Sequence, residues 1–283
     1  MYRYKDEHTI ARMAKVLKVS ESGYYKWHKR QSQASLRDIE NIEIERRILE
    51  IFYKSKGIFG IRKITKEINK THPNPVNHKR VERIMKQNQI YSRVRKKYIV
   101  TTDSSQTKKV AENILQRDFN ASKPLEKLVS DTTYIQTKEG TLYVAVILDL
   151  YAKMPIGLSM SSRNDTKLVI DCLKDVTTRM KLEKGCIIHS DRGSTYASKE
   201  YQDLIRQSNL TCSMSRKGDC WDNAPMESFF GKLKTEWITR KFKTKKEAMR
   251  SIYEYVWDFY PRQRPHASLN YETPIEYYSK AKS

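Results

Sequence analysis

One stretch of this chain leaves little freedom for the rest. Thr141–Leu150 is almost wholly apolar, and Leu142 to Leu148 is the longest apolar run in the sequence. It is far too short to span a bilayer, which takes about 20 residues. A strand buried on both faces reads as such a continuous run, whereas a strand with one wet face alternates. Leu128–Ile135 and Ile156–Ser161 read as strands on either side of it. Leu168, Val169, Cys172, Leu173, Val176 and Met180 then recur at helical spacing. Cys186–His189 is a short strand leading to Asp191, followed by a helix over Ser198–Gln207 and a strand over Leu210–Ser213. A Ser-, Gly- and Asp-rich loop reaches the helix that carries Glu227. Three meandering strands and then alternating helix and strand predict an α/β fold, a mixed five-stranded sheet with helices on both faces.

The residues before this sheet are helical. Ile10, Met13, Ala14 and Leu17 mark one helix, Lys18-Val19-Ser20 a turn, and Ser20 caps a second helix through Tyr24, Tyr25 and Trp27. A helix-turn-helix reads this way, and so does a plain helical pair. Leu36, Ile39, Ile42, Ile48 and Phe52 define a longer helix. Gly57-Ile58-Phe59-Gly60 precedes a helix with a basic face over Ile61–Ile68, and His72-Pro73-Asn74-Pro75 breaks it. Asn77 caps a further helix over Lys79–Lys86. Arg62, Lys63, Lys79, Arg80 and Arg83 are the phosphate-facing candidates here, with a solvated helical surface as the alternative reading. The expected organisation is a helix-turn-helix-like segment over 1–35, a second such region over 36–91, and a basic linker over 92–124. A catalytic core over 125–240 and a C-terminal helix and tail over 241–283 complete it.

Charge supports this division. The formal net charge is +22, and residues 1–124 hold 29 Lys and Arg against 13 Asp and Glu, a net of +16 that leaves +6 for the remainder. A basic region joined to a more balanced core fits a protein that grips nucleic acid with one part and acts with another. Cys172, Cys186, Cys212 and Cys220 form no Cys-x-x-Cys pair and have no His at finger spacing, so they read as reduced cytosolic thiols. No signal peptide opens the chain, and no membrane association is expected.

Three acids stand out within the core. An acid inside a strand is costly unless paired or metal-bound, and Asp131 sits in one. Asp191 follows an apolar strand, at the carboxyl edge where open α/β sheets place their sites. Glu227, separated from Asp191 by 35 residues, lies in the first turn of a helix capped by Asp222 or Asn223 and started by Pro225. Hard oxygen donors of this kind can hold two Mg²⁺ or Mn²⁺ ions, and two such ions clamp the attacking and leaving oxygens of a phosphoryl transfer. Lys234, seven residues after Glu227, falls on the same helical face and could reach a phosphate. Asn223 could steady Glu227 or contact DNA. His189 and His266 read as hydrogen-bonded structural residues, because hard cations prefer oxygen.

At these residues the chain resembles the second-reading-frame catalytic product of bacterial insertion sequences with a retroviral-integrase-like core. The resemblance covers most of the chain: Val16–Tyr25, Phe59–Ile64 with Arg80–Met85, Asn113–Phe119, the block Ser213–Glu236, and Arg264–Leu269. It implies a ribonuclease-H-like fold, with Asp131, Asp191 and Glu227 as the acidic triad and Lys234 as the basic residue after it. It also implies double-stranded DNA as partner, namely terminal inverted repeats and a target, with cleavage followed by strand transfer. A first-reading-frame polypeptide, as partner or fusion, and a homo-oligomer on DNA are further implications. Leu128 stands where the family usually has Trp, and Pro261 where Asn commonly follows the tyrosine. A ribonuclease-H-type nuclease that cuts without joining is the rival enzyme reading. A non-catalytic DNA-binding regulator is the rival from another class.

Overall fold

The computed structural model describes residues 1–32, 35–94, 111–216 and 220–282. They form two compact units, Met1–Ser92 and Arg93–Ser283.

The first unit is helical. α1 (Ile10–Val16) and α2 (Glu21–Ser32) flank a turn at Lys18, whose φ of 53° is left-handed. The Gly23 amide donates to Ser20 Oγ at 2.9 Å, the cap expected from sequence. α3 (Leu36–Lys54), α4 (Ile61–Asn69) and α5 (His78–Gln87) enclose a core of Ile44, Ile48, Ile64, Ile68, Val81, Ile84 and Met85. The α4–α5 connection is braced by one side chain: Asn69 Nδ2 donates to the Val76 carbonyl at 3.1 Å, and the Val76 amide donates to Asn69 Oδ1 at 2.8 Å.

The second unit holds one sheet of β1 (Lys127–Thr137), β2 (Gly140–Asp149), β3 (Met154–Ser161), β4 (Ile187–Ser190) and β5 (Thr211–Met214), in the order β3-β2-β1-β4-β5. β1 to β3 meander antiparallel, and β4 and β5 join parallel to β1. As the apolar run requires, β2 is buried on both faces. Ala145 and Ile147 meet Leu168, Val169, Cys172 and Leu173 of α6 (Thr166–Arg179), and Tyr201 and Ile205 of α7 (Lys199–Gln207) join the same core. Gly157 of β3 is required there: a Cβ would lie 2.6 Å from Val176 Cγ2 and 3.1 Å from the Cys172 carbonyl.

The other face carries α8 (Ala224–Lys232) and α9 (Lys245–Glu254). Both run on into π-helical turns, Leu233–Trp237 and Tyr255–Gln263. The single helix expected over 244–260 therefore changes pitch part-way. Pro261 has no N–H to give an α-helical ladder, and the π-helical stretch in which it sits buries Tyr255, Val256, Phe259 and Tyr260. Phe229 meets Tyr260 edge-on at 4.7 Å and Trp237 lies 4.8 Å from Phe259, an aromatic cluster that fastens α8 to the C-terminal region. α10 (Pro274–Ser279) closes the chain behind a Thr273–Glu276 capping box.

Of the stretch expected as a linker, residues 95–110 lie outside the described residues. Leu115, by contrast, is buried, and the Ile114 and Leu115 amides both donate to Ser213 Oγ at 3.0 Å. Leu128 is fully buried in β1. The thiols of Cys172, Cys186 and Cys212 are free. Among the described residues no helix is long and apolar enough to cross a membrane.

Candidate active site

The site begins with a strand that stops early. β4 pairs with β1 only through Val129↔His189 and ends at Ser190, while β1 continues to Thr137. Two residues beyond that last pair, Asp131 and Asp191 stand at the notch where the sheet parts. α8 packs on β1 and presents Glu227 from its first turn.

These charges feel one another. Burial drives the Asp131 carboxyl well above its usual range, and the neighbouring Asp191 and Glu227 raise it further. The Thr132 amide, donating to Asp131 Oδ1 at 2.7 Å, and the Lys234 ammonium pull the other way. Asp191 is raised by burial and relieved by the Gly193 amide at 2.8 Å. Glu227 is raised by burial alone and sits exposed at the rim. Lys234, on the π turn after α8, is lowered by burial while Asp131 acts to raise it. Its Nζ lies 5.1 Å over the Tyr134 ring. Carboxylates brought together in this way hold their protons more tightly and offer hard oxygen atoms to a cation. Among the described residues no three His, Cys, Asp or Glu side chains are grouped closely enough to hold a metal ion by themselves.

Comparison with known proteins identifies the family. An integrase core domain model matches residues 121–220, a second integrase core model matches 208–274, and an HTH-like domain model matches 38–98. The transposase InsF of insertion sequence IS3A from Escherichia coli K12 is 34% identical over 98% of this chain and 96% of its own. The transposase of element IS904 from Lactococcus lactis is 37% identical over 88% of this chain and 98% of its own. The chain belongs to the insertion-sequence transposases. The HTLV-2 integrase catalytic core, solved with magnesium, is a distant likeness over 56% of this chain and 99% of that one, with a TM-score of 0.44 at 14% identity.

Around the acids, the transposase carries supports that sequence reasoning passed over. Gly193 is one: a Cβ there would sit 3.0 Å from Asp191 Oδ1, so the Asp-Arg-Gly triplet was the available signal. Behind Asp131, Ser130 Oγ and Tyr196 OH are 3.0 Å apart in the core. Asp222 is the largest. Fully buried, its carboxylate accepts from Asn113 Nδ2 (2.8 Å), Arg117 Nε (2.8 Å) and the Arg216 amide (2.8 Å), Nε (3.1 Å) and terminal nitrogen (2.9 Å). These bonds hold its carboxyl far below the usual range. No local pattern announces partners more than a hundred residues away.

Both histidines are structural in this transposase. Ser213 Oγ accepts the Ile114 and Leu115 amides, so its own hydrogen goes to His189 Nδ1 at 2.8 Å. His189 Nε2 then carries the ring proton toward Ser215 Oγ at 3.1 Å. Burial presses the His189 pKa down to about 4. His266 is buried beside Arg264, with 3.2 Å between Nε2 and the guanidinium.

The DNA-contact candidates divide. Arg62, Lys79 and Arg83 are exposed on α4 and α5, and Lys63 is half-buried over the Phe59 ring. Arg80 instead binds Glu40 and Asn41, each at 2.9 Å, which ties α5 to α3. Asn223 is only 6% exposed and makes no side-chain cap. Its Nδ2 points to the Ser130 carbonyl at 3.5 Å, so it braces the turn against β1.

Proposed function

We propose that this transposase cuts a phosphodiester at the ends of its own element and joins the freed 3′-hydroxyl to a second strand, with a divalent cation, Mg²⁺ or Mn²⁺, as cofactor. Asp131, Asp191 and Glu227 are the ligands in this reading, for two ions. The observation that carries it is the placement of Asp131 and Asp191 two residues past the last β1–β4 pair, with α8 packed on β1 and carrying Glu227 in its first turn, so that Asp131 stands in the field of the other two acids. A bound divalent cation supplies Lewis-acid stabilisation of the charge that builds on phosphate oxygens.

The chain's own residues do the rest. Thr132 and Gly193 amides fix one oxygen of Asp131 and Asp191, leaving the second oxygen of each to face a ligand. Lys234 contributes a positive charge for a phosphate beside the acids, and positioning of this kind supplies much of the catalysis of phosphoryl transfer. Double-stranded DNA is gripped by the HTH-like unit, with Arg62, Lys63, Lys79 and Arg83 toward phosphates. A first-reading-frame polypeptide and further copies of this chain assemble with it on the element's ends.

The test uses labelled duplexes carrying the element's ends, incubated with the full chain and Mg²⁺. Strand cleavage with appearance of a joined product is expected, and chelation should stop both. Cleavage with no joined product would reduce the chain to a nuclease, and joining that survives chelation would overturn the reading.

A further inference from the structure

A single large side chain on the turn before α8 stands apart from its surroundings. Trp221 is 68% exposed, yet Asp222 and Asn223 directly after it are buried. Asp222 is fully buried under five hydrogen bonds from Asn113, Arg117 and Arg216. Asn223 is wedged against β1, and Met226, one turn on, is fully buried. An isolated apolar side chain on a surface is ordinary. An indole six residues from Glu227 on a turn whose next two residues are buried and bonded is less so, because the backbone that carries it is anchored. Its ring stacks on none of the described aromatic side chains.

The acids make a demand that this indole can meet. Asp131 and Asp191 are half-buried in the notch beside β4, whereas the phosphates of a paired duplex follow a smooth cylinder. Bringing one phosphate down to them requires the strand to leave its stacked path. Unstacking has an energetic cost, and proteins that deform DNA offset it by offering apolar surface to the opened step. An aromatic face accepts any base, so such a contact needs no particular sequence. Arg117 and Arg216, whose side chains are 43% and 55% exposed, place cations at the base of the same turn.

We infer that Trp221 stacks on an unpaired base next to the scissile phosphate and so holds the cleaved strand open over the acids. The inference rests on the proposed cleavage of DNA, and it assigns Trp221 a positioning role through the DNA rather than any part in bond making.

Two measurements test it on the full-length chain. The first uses a duplex spanning the element's end, with 2-aminopurine placed in the opposite strand, across from the nucleotides flanking the scissile phosphate, where it brightens when its partner base leaves, in buffer containing chelator. Wild-type protein should raise the fluorescence at one of these positions, Trp221→Ala should not, and Trp221→Phe should retain most of the rise. The second compares cleavage, with Mg²⁺, of a fully paired duplex and one mismatched at that nucleotide. Trp221→Ala should lose about tenfold to a hundredfold on the paired duplex, the range expected from one lost stacking contact, and recover on the mismatched one. Equal activity of Trp221→Ala and wild type on both duplexes, with unchanged fluorescence, would overturn the inference. An equal loss on both duplexes would also overturn it, since the indole would then be structural. If wild-type protein fails to cleave at all, the proposed reaction fails, while the fluorescence arm still reports on stacking.

Discussion

Arg264 grips Glu236 with two parallel bonds, Nε to Oε2 at 2.6 Å and NH2 to Oε1 at 2.5 Å, and the side chains are only 5% and 8% exposed. Glu236 lies two residues after Lys234 on the same π turn, so the C-terminal tail fixes the segment that carries Lys234. Removing one partner of a buried pair strands the other charge. Arg264→Ala should therefore lower stability by about 3–5 kcal/mol, seen as a large drop in melting temperature. The double replacement Arg264→Met with Glu236→Met should be less damaging than the two single changes added together. Strict additivity would show that the pair is not coupled.

The acids give a prediction about chemistry alone. Asp131→Asn, Asp191→Asn and Glu227→Gln should each abolish cleavage and joining while DNA binding persists, because volume is kept and one charged ligand is lost. Gel-shift and strand-transfer assays on the same preparations separate the two. Any one variant that joins DNA at near-normal rate removes its residue from the trio.

Lys234 acts through charge in this scheme. Lys234→Ala should slow cleavage by about tenfold or more, on the scale of one lost charge-assisted contact, with Lys234→Arg in between. Full activity of the alanine variant would make it a surface lysine resting on Tyr134.

Asp149 provides a pH test away from the chemistry. Burial pushes its pKa up to about 6, and its Oδ2 accepts no hydrogen bond among the described residues. The folded chain thus keeps a proton up to about pH 6 that the unfolded chain releases above about 4. Stability is lost as pH rises across that window. Asp149→Asn should match wild type near pH 4 and exceed it by about 1–3 kcal/mol at pH 7. Melting curves taken from pH 4 to 7.5 would show the gap opening between those limits, and a constant gap would refute the assignment.

In the helical unit, Arg62→Ala and Arg83→Ala should weaken binding evenly across DNA sequences and each reduce the salt slope by about 1. Arg80→Ala should instead loosen α5 from α3, lowering the melting temperature of the unit. A variant of Arg80 that changes only the salt slope would reverse this division.

Much of this architecture is written locally. The double burial of β2 leaves a run of Leu, Val, Ala and Ile that hardly admits another reading, and Asp131 is conspicuous because the only other charge in its strand is Lys127 at the start. Periodicity marked α3, but not which face is covered: Ile44 and Ile48 are buried, while Leu36 is 87% exposed. Contacts, not spacing, decide that. Arg80 and Asn223 looked like nucleic-acid ligands because a side chain's partner forty or ninety residues away leaves no trace beside it. The π turns were equally silent, since a helix of either pitch draws on the same residue types.

The bonds to Asp222 also set a timetable. Asn113 and Arg117 leave the ribosome more than a hundred residues ahead of the carboxylate that they clasp. Until it arrives, a nascent chain can pair its strands and expose Asp131 and Asp191, but Asn113 and Arg117 have no carboxylate to clasp, and the turn that starts Glu227's helix is not yet made. Long-range closures of this sort come late in folding. A transposase chain broken off before Asp222 therefore lacks both this clasp and Glu227.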